Sequence, residues 1–278
     1  MVGGNFQGSL AQRTGAALAE ALRAARTRRS PRVPDLRVRR MVDLLIDGVE
    51  DEQLPLSLDR SRLRSPDCAA ALAINTFVPW RRAPGEMSLA GYTGFQQMQF
   101  EVRCPTGLRG TPPHLDLMAL REDAAVAVTV RCSEYLGRRK SPVAPSYDRL
   151  LEETQGLDAW RLLLQTLRSR PDSFALVDLG ALIKHALALG RTFPDRQAVL
   201  LYLYWEPIDA DVFDDFRRHR AELQALIEET SESRIHFQAQ TFADLWSAWA
   251  ERDRPIWLQD HVLRLRSRYS VALGEPRA

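Results

Sequence analysis

The segment His114–Cys132, "HLDLMALREDAAVAVTVRC", holds two runs rich in strand-forming residues around the charged tetrapeptide "REDA". Such runs on either side of a short polar turn read as an antiparallel hairpin. A turn at Arg121–Ala124 pairs Leu120 with Ala125. Counting back along both strands then sets Asp116 opposite Thr129, with Arg131 two residues farther along the same face. Val126, Val128, Val130 and Cys132 occupy the other face and belong in a core. A carboxylate, a hydroxyl and a guanidinium are thereby expected in one polar patch.

Upstream, Gln97–Cys104 alternates with period two. Met98, Phe100, Val102 and Cys104 fall on one face, and Gln97, Gln99, Glu101 and Arg103 on the other. This predicts a half-buried first strand that brings Glu101 toward the patch. "CPTGLRGTPP" is the loop between. Ahead of it, Ser65-Pro66 suits the N-cap and first turn of a buried helix over "DCAAALAINTFV", ended by Pro79. Downstream, "LDAWRLLLQTLRS" and "ALVDLGALIKHALALG" read as helices, and the continuous apolar run "QAVLLYLYWEP" as a central strand covered on both faces. A crossover containing helices lets that strand return parallel to the hairpin, so the order is helix, three strands, helix, strand. The fold class is α/β, with a mixed sheet flanked by helices and extra helices at both termini.

The C-terminal part reads as a helix over "VFDDFRRHRAELQALIEE", a short strand over "IHFQAQTF", and helices over "FADLWSAWAER" and "PIWLQDHVLRLRSR", with Trp246 and Trp249 on one apolar face. At the other end, Leu18, Ala21 and Leu22 have helical spacing. Arg23–Arg40 then carries eight arginines against the single Asp35, either a phosphate-contacting arm or a solvated helix end with an extended connector. "RMVDLLIDGVEDE" predicts a further short amphipathic helix. The division expected is an N-terminal helical and basic extension, 1–60, and a main domain with C-terminal helical additions, 61–278.

With 278 residues, 38 basic against 36 acidic groups and 15 glycines, the chain is long enough for one substantial core, and its net charge selects no partner. Lys140 and Lys184 are its two lysines, so arginine supplies nearly all its positive charge. Cys68, Cys104 and Cys132 are odd in number and scattered, which suits a reducing cytoplasm and excludes a zinc-finger spacing. No apolar run reaches the length of a membrane span. The sequence contains no H-E-x-x-H, no G-x-S-x-G and no P-loop Lys-Ser/Thr, which removes the usual signatures of zinc proteases, serine esterases and nucleotide hydrolases.

An acid in the second strand and a two-apart polar pair in the third resemble the PD-(D/E)xK nuclease superfamily, the restriction-endonuclease-like fold. "SPDCAAALAINTFVPW", "QFEVRCPTGLRGTPPHLDLMA", "RCSEYL", "LIKHALALG" and "LLYLYWEP" are similar to an uncharacterised bacterial family placed in that superfamily, over roughly Ser65–Pro207. The resemblance implies magnesium- or manganese-dependent hydrolysis of DNA phosphodiesters, with Asp116 as the first metal-binding acid. Where the family has Glu-x-Lys, this chain has Thr129-x-Arg131. Threonine brings no charge to a hard cation, and arginine is no general base at neutral pH. Glu101 is the candidate replacement carboxylate, with Glu134 the weaker one, and Lys184 is the candidate migrated lysine. Arg109, Arg131 and His185 are candidate phosphate contacts. Two readings stay open: a nuclease with a rearranged site, and a catalytically silent member of the same fold that binds nucleic acid or a protein.

Overall fold

The computed structural model describes residues 9–27, 44–56, 58, 63, 65–251 and 255–274. Its centre is one five-stranded sheet in the order β1(Gln97–Arg103), β2(His114–Leu120), β3(Ala124–Arg131), β4(Gln197–Tyr204), β5(Ile235–Thr241). β1, β2 and β3 are antiparallel neighbours, whereas β3, β4 and β5 run parallel. The hairpin register is the expected one: Leu120 pairs with Ala125, and the Arg121 N–H donates to the Ala124 carbonyl at 3.0 Å. The parallel return of β4 follows from its helical crossover, and its burial from Ala198 to Tyr204 follows from its unbroken apolar sequence.

Helices cover both faces. One layer contains α1(Leu10–Thr27), α2(Ala69–Phe77), α7(Phe242–Trp249) and α8(Ile256–Tyr269), packed on Val126, Val128, Val130, Leu201 and Leu203. Trp246 and Trp249 share this core, as their spacing requires, and Trp80 meets the Trp249 ring edge-on at 5.1 Å. The opposite layer contains α3(Ser146–Glu153), α4(Asp158–Ser169), α5(Leu179–Thr192) and α6(Asp214–Glu229), packed on Ala125, Ala127, Leu200 and Tyr202. Leu18 and Leu22 of α1, with Leu44, Leu45 and Ile46, lie in the first of these cores. No helix among the described residues is long and apolar enough to cross a membrane.

Several local expectations are corrected. α2 begins at Ala69 with Cys68, not Ser65, as its N-cap; the Cys68 Sγ accepts from the Ala71 N–H at 3.3 Å. Ser65 is engaged elsewhere, donating to Asp67, which also accepts from the Ser133 hydroxyl at 2.6 Å. Of the helix expected over "RMVDLLIDGVEDE", the described part keeps helical backbone only at Leu44 and in a single turn at Asp51–Gln53. Its backbone is instead met by the buried Asn75 amide, which accepts from the Ile46 N–H at 3.0 Å and donates to the Leu44 carbonyl at 2.8 Å. The arginine-rich stretch from 28 to 43 lies outside the described residues.

β1 departs from strict alternation. Met98 and Phe100 join the first core, as expected, but Val102 and Cys104 pack in the second. The switch falls at Glu101, whose φ is +56°. A non-glycine residue seldom adopts this left-handed conformation, and it turns the strand over at that point. β2 answers it in the facing position, with Leu117 in the first core and Leu115 in the second.

Candidate functional site

The reversal in β1 and β2 builds a cluster at the end of the hairpin. Glu101, His114 and Asp116 each offer one ligand atom, and these atoms lie within 4.8 Å of one another. His114 Nε2 and Glu101 Oε2 are 2.7 Å apart, and the Glu101 side chain is 8% exposed. Asp116 is 5% exposed, and its Oδ2 accepts the Val130 N–H at 2.7 Å. The β2–β3 ladder runs only to Leu117–Val128, so the Asp116 carboxylate takes over an amide that the parting strand no longer meets.

The two anticipated acids, Glu101 and Asp116, are therefore together, and His114 is the member that the sequence reading missed. Its signal was present: His114 and Asp116 stand two apart in a strand, the spacing that gives two side chains one face. Two carboxylates and an imidazole fit a divalent transition ion such as Mn²⁺ better than Mg²⁺, which prefers an all-oxygen shell.

Thr129 is buried, and its hydroxyl accepts from Arg131 Nη1 at 2.9 Å. The same nitrogen donates to the Val130 carbonyl at 2.8 Å, and the guanidinium lies 5.8 Å from the centre of the Tyr202 ring. Thr129 and Arg131 thus share a face as the strand count requires. The pairing of Asp116 with Thr129 is the part that stops short, because the strands have already separated.

His185, on α5, is 6% exposed, and its pKa is pushed down to about 3 by burial first, then by Arg131 and His114. It is a neutral imidazole with Nδ1 unpartnered among the described residues. Lys184 is half-buried and makes no hydrogen bond or ion pair among the described residues. Arg109 is exposed in the loop joining β1 to β2. Glu134 commits one oxygen to the Ala69 N–H at 3.0 Å and the other to the Cys132 N–H at 2.7 Å, thereby fastening the start of α2 to the end of β3.

A third polar group adjoins Tyr202. Its hydroxyl lies 3.2 Å from His219 Nε2, and His219 stacks on Tyr135 with ring centres 4.0 Å apart. Burial, with Arg131 and Arg220 adding, holds His219 down to about 3. This aromatic set links Tyr202 of the second core to Tyr135, which packs with Phe213 and Phe216.

No family model, curated protein or solved structure matches the chain.

Proposed function

We propose that this protein is a restriction-endonuclease-like, metal-dependent phosphodiesterase acting on DNA, with a rearranged site. The observation that carries the reading is the convergence of Glu101, His114 and Asp116 beside the two-residue pair Thr129-x-Arg131. Glu101 and Asp116 would hold the cation with His114. A bound divalent ion supplies charge stabilisation at the phosphate and a water of lowered pKa. Arg131, anchored through Thr129 and Val130, would present its remaining donors to a phosphate oxygen, and Arg109, exposed in the loop that joins β1 to β2, is a further candidate contact. No lysine takes the position of Arg131, and arginine does not take up a water proton at neutral pH, so no side chain at this position would assist a cation in activating water and turnover would be slow.

A second reading has its own support. Arg131 replaces a residue able to shed a proton, and its bonds to Thr129 and Val130 hold it in place, which favours a binding protein that keeps the fold without the chemistry.

The test of the cation site is a Mn²⁺ titration followed by electron paramagnetic resonance of the free ion. One bound ion, lost in Glu101→Gln and in Asp116→Asn, is the expected result. Binding unaffected by both substitutions, or no binding, refutes the site.

A further inference from the structure

Away from that cluster, the carboxyl ends of β4 and β5 open onto a cavity of about 450 Å³. Its location has a topological cause. The strands stay paired to their last residues, Tyr204 and Thr241, but the chain leaves β4 for α6 in one helix layer and leaves β5 for α7 in the other, so the segments beyond that pair diverge and a crevice lies between them. Open parallel sheets take their ligands at such points.

The walls combine aromatic rings with an excess of acid. Tyr204, Trp246 and Tyr269 line the cavity together with Glu206, Arg220 and Asp244. The Glu206 side chain is 7% exposed and takes Arg220 Nε at 2.9 Å and Nη2 at 2.7 Å. Arg220 also pairs with Asp211, so its one charge is set against two carboxylates before Asp244 is counted. Asp244 Oδ2 accepts the Thr241 hydroxyl at 2.6 Å, which fixes it at the start of α7. Burial raises the Glu206 pKa against the lowering by Arg220, and Asp211 and Asp244 add to the rise. Burial and Glu206 push the Tyr204 phenol up as well, keeping it a hydrogen-bond donor or acceptor.

We infer that this crevice binds a small organic cation, an ammonium or guanidinium head on an apolar stem, with Glu206 and Asp244 as its counter-charges. An aromatic wall suits the stem and favours a cation over its face, and the uncompensated acid disfavours an anion of the same shape. The chemistry is shared by a free amine and by an Arg side chain of a partner peptide.

The experiment is isothermal titration of the full chain with phenethylammonium chloride and with N-acetyl-arginine amide, against phenethyl alcohol and 3-phenylpropionate. For ligands of this size a Kd of ~1 mM is expected for a cation. The alcohol should bind at least about tenfold more weakly, and the carboxylate should not saturate. Asp244→Asn keeps the Thr241 bond while removing the charge, and should weaken the cation severalfold; Glu206→Gln should do the same. Tighter binding of the arginine derivative than of the ammonium assigns the site to a peptide side chain, and the reverse to a free amine. Equal binding of alcohol and ammonium, indifference to both substitutions, or no saturation by either cation overturns the inference.

Discussion

Asp116→Asn separates a carboxylate placed for a cation from one placed for the fold. The amide retains an oxygen for the Val130 N–H, now at 2.7 Å from Asp116 Oδ2, so the loss at this contact is limited to charge assistance, about 1 kcal/mol. Against it stands the repulsion between Asp116 and Glu101. Their ligand oxygens lie within 4.8 Å, where two full charges at an effective dielectric of ~20 oppose one another by roughly 3 kcal/mol before the His114 contact offsets part of it. The metal-free variant should therefore be as stable as the wild type, or up to about 2 kcal/mol more stable. Manganese at ~100 times its Kd should stabilise the wild type by about 2.7 kcal/mol, which for a chain of 278 residues is a Tm rise of roughly 4–5 °C. The variant should show none. Thermal melts and urea titrations with and without Mn²⁺ supply both readings. A metal-free loss above ~2 kcal/mol, beyond what the lost charge assistance accounts for, or a manganese response that survives the substitution, refutes the reasoning.

Two further outcomes follow from the packing. His219 and His261 are buried with pKa values held down to about 3 and about 4; the unfolded chain binds protons that the folded one refuses, so stability is full above the ordinary histidine pKa of about 6.5 and falls below it. By pH 5 each should have cost about 2 kcal/mol, and urea midpoints measured from pH 7.5 to 5 should lose less in His219→Gln than in the wild type; equal slopes contradict this. Gly180→Ala places a Cβ 2.1 Å from the Ser141 carbonyl oxygen at the start of α5, where Asp178 accepts from the Ser141 N–H at 2.9 Å. Because backbone must move, a loss of about 3 kcal/mol is expected in urea unfolding, and a change under ~1 kcal/mol shows that the loop yields easily.

The parts of the fold that could be read in advance are those whose cause is local or topological. The charged turn fixes the Leu120–Ala125 register, and a long helical crossover leaves β4 parallel to β3. The Cys68 cap was not legible, because the start of α2 answers to tertiary partners: Glu134 holds the Ala69 N–H, and Asp67 engages Ser65 and Ser133. For the site, the proximity of Glu101 to Asp116 was legible from strand spacing. The inclusion of His114 was legible in part: its two-residue spacing from Asp116 marked it, but its meeting with Glu101 depends on the left-handed backbone there, for which a period-two pattern contains no signal. The unpartnered Nδ1 of His185 and the burial of that ring likewise come from the closing of α5 on the sheet.

The most direct measurement is nicking of supercoiled plasmid DNA by purified protein in Mn²⁺, with chelator and Asp116→Asn run beside the wild type at equal concentration. Slow nicking is expected that requires the ion and disappears in Asp116→Asn, while Lys140→Met, at a lysine bonded to the Phe174 and Val177 carbonyls and outside the site, leaves it unchanged in folded protein. Nicking that persists in Asp116→Asn, or no nicking by wild-type protein with manganese demonstrably bound, contradicts it.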